Sequence, residues 1–228
     1  MKIVKITARW LFSLCLPVML FTASVSAAAN CIWLYEYGFN KYDVSQVTGL
    51  APVEMEKVAR GLIGYWNSGD ETFNITVIKD GHPFTVFNQR EVAHLKDVKA
   101  IFQLVYKLLI GTGAYVLIYA GVALFWWRDK RRLGWGLLGG GGITLVLMAA
   151  VGIMIIWDFD QFFLQFHLFS FANDFWQLNP ATDYLIMLFP QGFWFDAALF
   201  CAGGTALMAL MLGGVGWWLK RKYRDEKR

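Results

Sequence analysis

Four stretches of this chain are too long and too apolar for a soluble fold: Trp10 to Ala29, Ile101 to Trp127, Trp135 to Trp157 and Ala197 to Leu219. Each is near or above the ~20 residues that a helix needs to cross bilayer hydrocarbon at about 1.5 Å per residue. Lipid offers no hydrogen-bond partner to a peptide group, so these runs must satisfy their backbones internally, as helices. Hydrophobic residues make up 57% of the chain, above the share usual for soluble domains. The reading is an integral membrane protein.

Basic residues set its orientation. Lys2, Lys5 and Arg9 precede the first run, Arg128, Lys130, Arg131 and Arg132 fill the short loop after the second, and Lys220, Arg221, Lys222, Arg224, Lys227 and Arg228 follow the fourth. The segment 158–196 has no Lys or Arg. By the positive-inside rule both termini are cytoplasmic and the two long segments face out. The expected order is transmembrane helices over 10–29, 99–127, 135–157 and 197–219. An extracytoplasmic cap lies over 30–98, a cytoplasmic loop over 128–134, an interfacial outer loop over 158–196 and a cytoplasmic tail over 220–228. The first run, ending in Ala27-Ala28-Ala29, also fits a cleavable signal peptide, but it is long for a signal core and is taken as an uncleaved span. A net charge of +4 belongs to these flanks and calls for neither nucleic acid nor nucleotide.

Residues 30–98 have globular character. Val53, Val58, Leu62, Ile63 and Trp66 recur at helical spacing after Pro52, and Asn67-Ser68-Gly69 stops the pattern. Phe73, Ile75 and Val77 alternate with polar residues, Asp80-Gly81 supplies a tight turn, and Phe84 to Phe87 returns as a second strand. From Asn88 a continuous helix is expected to run into the second span. It carries Arg90, His94 and Asp97 on one flank with Glu91 beside them. The fold class is therefore an all-α membrane bundle of four transmembrane helices with a small extracytoplasmic α+β cap. The cap is too small to bury much core alone and should lean on the outer loop or the membrane surface. Glycines at 139–142, and Gly203, Gly204, Gly213, Gly214 and Gly216, are expected to let helices approach closely in lipid. Lys107 should snorkel to the interface.

The outer loop is unusual. Phe162 to Phe195 is greasy and aromatic, yet broken by Asn173, Asp174, Asp183, Pro180, Pro190 and Gly192, so it reads as a connection lying on the membrane surface. It holds His167. The chain has only three histidines, all on the outer side; His82 falls in the hairpin turn, while His94 and His167 are each anchored at the membrane surface. Two facing histidines can act as base and acid. Three classes fit these residues. A zinc site from His94, His167 and carboxylates lacks any HExxH motif. A serine hydrolase lacks Gly-x-Ser-x-Gly. In a non-enzymatic protein, the cap and aromatic loop would bind a partner or lipid. Cys15, Cys31 and Cys201 form no disulfide framework and no zinc-type pair.

Two motifs add to this. Arg90-Glu91-Val92-Ala93-His94-Leu95-Lys96-Asp97-Val98, and Phe166-His167 followed by Asn173-Asp174, Trp176, Leu178, Asn179-Pro180, Asp183-Tyr184-Leu185-Ile186, Leu188-Phe189-Pro190 and Phe193-Trp194, resemble those of the lipoprotein intramolecular transacylase family, Lit. The resemblance covers most of the chain, including its four-span layout. It implies a prokaryotic plasma-membrane enzyme that moves the sn-2 acyl chain of a diacylglyceryl lipoprotein to the α-amine of its N-terminal cysteine. It implies no metal, nucleotide or other cofactor. His94 and His167 match the family's motif histidines and are implied as the acid/base pair. Arg90, Glu91 and Asp97 are candidates to orient His94 or hold the substrate, and Asn173, Asp174 and Asp183 to orient His167 or stabilise the oxyanion.

Overall fold

A computed structural model describes residues 2–223; the expected tail residues Arg224, Lys227 and Arg228 lie outside the described residues. Its order is α1 (Lys2–Ala29), α2 (Ile32–Lys41), α3 (Val44–Thr48), α4 (Pro52–Asn67), β1 (Thr76–Lys79), β2 (His82–Thr85), α5 (Gln89–Gly121), a π-helical turn (Val122–Trp126), α6 (Lys130–Trp157), α7 (Phe159–Ser170), α8 (Tyr184–Leu188) and α9 (Gln191–Lys222). Helices α1, α5 with its π turn, α6 and α9 are long and apolar enough to cross a membrane. The fold is a four-span helical membrane protein with a small α+β portion. It divides into two compact units.

One unit comprises the stretches up to Ser26, Val105–Met154 and from Phe200 onward. Small residues and main-chain carbonyls join its helices, as expected where lipid supplies no hydrophobic drive between them. The Ser13 hydroxyl donates to the Gly136 carbonyl at 3.1 Å, and Tyr115 to that of Ala8 at 3.0 Å. A Cβ on Gly134 would lie 2.7 Å from the Gly216 carbonyl oxygen, and one on Gly216 would lie 2.8 Å from that of Gly134. Of the glycines expected to pack, Gly140 meets Leu16 and Gly141 meets Ala209 and Gly213, whereas Gly142, Gly203 and Gly214 border open space. Lys107 is exposed.

The other unit comprises Ala27–Leu104 and Ile155–Leu199. Its core joins Val58, Leu62 and Trp66 of α4 to Val77 of the hairpin and to Leu188 and Phe193 of the second long segment, so that segment completes a core which residues 30–98 alone would leave open. The hairpin pairs Thr76 with Thr85 and Lys79 with His82. Asp80 and Gly81 both have positive φ, 51° and 81°, the signature of the type I′ turn that matches strand twist. Four helices escape the sequence pattern: α2, α3, α7 and α8. In α2, Gly38 interrupts the apolar face because a Cβ there would lie 2.3 Å from the Phe193 ring. Expected as irregular connection, residues 159–170 are instead helical, started by Asp158, whose carboxylate accepts from the Gln161 N–H at 3.0 Å.

Candidate active site

Helix α5 is far longer than a bilayer needs. Its first turns carry Arg90, Glu91, His94, Lys96, Asp97 and Lys99, ahead of the apolar run that begins at Ala100. The start of α5 is built by a reciprocal cap. The Asn88 carboxamide oxygen accepts from the Arg90 and Glu91 N–H groups at 2.9 and 3.1 Å, while the Glu91 carboxylate reaches back to the Asn88 N–H at 2.7 Å. The other Glu91 oxygen accepts from the Leu185 N–H at 2.6 Å, in the first turn of α8. One carboxylate therefore caps two helices. Glu91 is 1% exposed, and burial, with the nearby Asp183 charge, pushes its carboxyl above the usual range against the pull of those N–H bonds.

One turn beyond Glu91, His94 turns inward. It meets His167 of α7 with ring centroids 6.1 Å apart and planes inclined by 31°; each is 7% exposed. That separation exceeds a direct hydrogen bond between the rings. Aromatic rings enclose the pair: Phe171 lies 5.0 Å from His94 and 5.5 Å from His167, and Phe163, Phe166 and Trp176 lie 4.4, 5.4 and 5.0 Å from His167.

The two imidazoles differ in their hydrogen bonding. His167 Nδ1 is 2.7 Å from the Phe163 carbonyl oxygen one turn back. A carbonyl only accepts, so Nδ1 carries the proton and Nε2 presents its lone pair. His94 Nδ1 is buried and has no partner. An unpaired acceptor is the less costly arrangement, which puts the His94 proton on Nε2. Burial lowers both basicities. His94 is pushed down to about 4 by burial and by the neighbouring His167 charge, against the pull of Asp97; His167 is lowered by burial, against the pull of the Phe163 carbonyl. Both rings are neutral at physiological pH.

The remaining candidates lie around this pair without hydrogen-bonding it. Asp97 accepts from the Asn173 carboxamide at 2.9 Å, tying α5 to the loop after α7, and Asn173 in turn accepts from the Phe175 N–H at 3.0 Å. Arg90 is exposed and donates to the Asp174 carbonyl at 2.6 Å. Asp174 holds Gln177 at 3.0 Å. Asp183 accepts from Asn88 and the Asn179 N–H at 3.0 and 2.7 Å, within the loop-to-α5 junction. His82 is exposed on the hairpin. A cleft of about 340 Å³ opens beside the pair between Asp97, Ala100, Ile101 and Leu104 of α5 and Ser170 to Asn173. Among the described residues no three His, Cys, Asp or Glu side chains converge as a metal site.

The family model for the lipoprotein intramolecular transacylase Lit matches residues 10–194, spanning both motifs and both histidines. The chain belongs to the Lit family. It is similar throughout to the membrane-integral lipoprotein intramolecular transacylase Lit from Bacillus cereus, at 20% identity and a TM-score of 0.84, covering 98% of this chain and 99% of that one. Two further structures of the Bacillus cereus Lit, in which a histidine is replaced by arginine or by alanine, match at 19% identity and a TM-score of 0.78. At these identities the likeness establishes the Lit fold. An uncharacterized protein of Aquifex aeolicus (strain VF5) is 29% identical over 147 residues, 64% of this chain and 62% of that relative's length.

The sequence did not single out Phe163 or Phe171, which were hidden among many phenylalanines, nor Asn88. The last was findable, since Asn88-x-x-Glu91 before an apolar run is a capping-box signal.

Proposed function

We propose that this chain is a lipoprotein transacylase that isomerises a diacylglyceryl lipoprotein into its N-acyl lyso form, with His167 as base and His94 as N–H donor. The observation carrying this reading is two buried imidazoles facing each other in an apolar box, His167 held with its proton on Nδ1 by the Phe163 carbonyl and His94 with its Nδ1 unpaired.

The α-amine nitrogen of the substrate's N-terminal cysteine attacks the carbonyl carbon of the sn-2 ester. His167 Nε2 takes the amine proton as the C–N bond forms. The oxygen that gains negative charge accepts from His94 Nε2–H, and a neutral imidazole is a sufficient donor in a water-poor site. Collapse breaks the bond to the glyceryl oxygen, to which His167 returns the same proton. Proton and acyl group both stay within the substrate, so no cofactor or enzyme nucleophile takes part. Because amine and ester share one headgroup, their proximity supplies on the order of 7–11 kcal/mol of the barrier in a productive pose. The aromatic walls keep competing water from the ester. Arg90, Asp97, Asn173 and Asp174 hold the loop against α5, and Glu91 and Asp183 fix the α5 start beneath His94.

In this proposal the protein sits in a prokaryotic plasma membrane with both termini cytoplasmic and the histidine pair at the outer leaflet, where diacylglyceryl lipoproteins present their esters. The absence of Lys and Arg from 158–196 supports that orientation.

The test uses a host that accumulates diacyl lipoprotein. An isomerisation leaves the mass unchanged, so the readout is fragmentation of the reporter's N-terminal peptide together with loss of its amine reactivity. Expression should produce N-acyl fragments, and His94→Ala or His167→Ala should abolish them at equal protein level. Persistence of N-acyl product in both variants overturns the assignment.

A further inference from the structure

Helix α2 has a second face that the acyl-transfer chemistry leaves unused. Leu34, Tyr35, Gly38 and Phe39 are buried on one side. The other side presents Trp33, Glu36, Tyr37, Asn40 and Lys41 around an open cleft of about 560 Å³. Trp33 is 56% exposed and stacks on Tyr37, with centroids 5.5 Å apart and planes 23° apart. Lys41 lies over the other end of this ladder, 5.5 Å from the Tyr37 ring. Its charge is already answered, since Nζ sits 2.7 and 2.8 Å from the two Asp196 oxygens. Glu36 has no ion pair among the described residues. The uncompensated charge on this face is therefore one carboxylate beside an exposed aromatic ring.

That chemistry recognises a primary ammonium group, whose N–H bonds reach the carboxylate while its charge faces the ring quadrupole. Position narrows the choice. The Tyr35 hydroxyl donates to the Ala29 carbonyl at 2.9 Å, fastening α2 to the last turn of the apolar helix α1. The apolar run ending at Ala29 is about as long as the hydrocarbon is thick, so α2 falls in the headgroup layer, where Trp and Tyr are enriched.

We infer that Trp33, Glu36 and Tyr37 bind the ammonium headgroup of an ethanolamine phospholipid in the leaflet at the Ala29 end of α1. Asn40 lines the edge of the same face. The site is independent of the acyl-transfer reading and uses none of its residues.

The experiment places the photoreactive amino acid p-benzoylphenylalanine at position 40 in the full chain. The protein is reconstituted in vesicles of equal phosphatidylethanolamine, phosphatidylglycerol and phosphatidylcholine, together with reporter diacyl lipoprotein, and adducts are read by mass. Phosphatidylethanolamine adducts should exceed each other lipid at least about 5-fold, and both Glu36→Gln and Trp33→Ala should remove that excess. Both positions face outward, and an unchanged unfolding temperature checks the fold. Equal labelling of the three lipids, a preference that survives both substitutions, or adducts on the reporter's polypeptide in place of lipid would each overturn the inference.

Discussion

His94 of α5 and His167 of α7 face one another at 6.1 Å between ring centroids, and neither imidazole hydrogen-bonds a carboxylate among the described residues. Orientation comes instead from a main-chain carbonyl and from packed rings. This makes their roles separable by substitution. His167→Gln supplies no base and should lose at least about 10³-fold in rate, in the range of general-base catalysis. His94→Gln keeps an N–H donor and should retain more activity than His94→Ala. Equal losses for His94→Gln and His94→Ala would remove the donor role.

Acid should weaken the fold through the same pair. His94 binds its proton near 6.5 when unfolded but only near 4 when folded, so as pH falls the unfolded chain is protonated first. The stability due to its neutral form is complete above pH 6.5 and is lost between 6.5 and about 4, by roughly 3 kcal/mol. His167, also lowered, acts in the same direction, and Glu91, raised, in the opposite one. Thermal unfolding at pH 7.5 and 4.5 checks this: His94→Phe should unfold at temperatures closer together at the two pH values than the parent does.

The rate itself should climb with pH until the substrate amine, with an ordinary pKa of about 8, is free. With both histidines neutral well below that point, the profile between about 6.5 and 8 should have unit slope and steepen only in more acid solution. A second ionisation inside that window would show that His167 is not held low.

Glu91→Ala strips the acceptor from the buried Leu185 N–H, at about 1–3 kcal/mol, and from the part-buried Asn88 N–H, which water can partly satisfy. Glu91→Asp, one methylene shorter, should recover only one of the two bonds. The unfolding temperature is expected to rank the parent above Glu91→Asp and Glu91→Asp above Glu91→Ala.

The Asn173 bond to Asp97 should appear as a coupling energy. A double-mutant cycle with Asp97→Ala and Asn173→Ala is expected to give about 0.5–3 kcal/mol in unfolding free energy. Additivity of the two changes would mean that the bond does not tie the loop to α5.

The four spans were legible because lipid imposes one simple requirement, a long apolar run, and runs such as Trp135 to Trp157 meet it without competing signals. The hairpin was equally plain, because Asp80-Gly81 satisfies a turn that demands positive φ at two consecutive residues. Helix α2 was not, since Gly38 weakens a helical pattern for the sake of the Phe193 ring, a partner 155 positions away that sequence periodicity cannot register. For α7 the difficulty was the reverse. Apolar residues on nearly every side, Phe162 to Leu164, Phe166, Leu168 and Phe169, erase the contrast on which amphipathic reading depends, and Phe169 is 94% exposed. The histidines stood out by rarity and by a shared place at the outer surface, but no periodicity shows that the rings meet, because they come from segments 73 residues apart.

The carbonyl that holds His167 belongs to Phe163, so the group that aims this base is part of the peptide chain itself. Alanine scanning cannot detect such an orienting element, and drift in the identity of residue 163 leaves it in place; only an edit to the main chain, such as an ester in place of the amide, would reveal it.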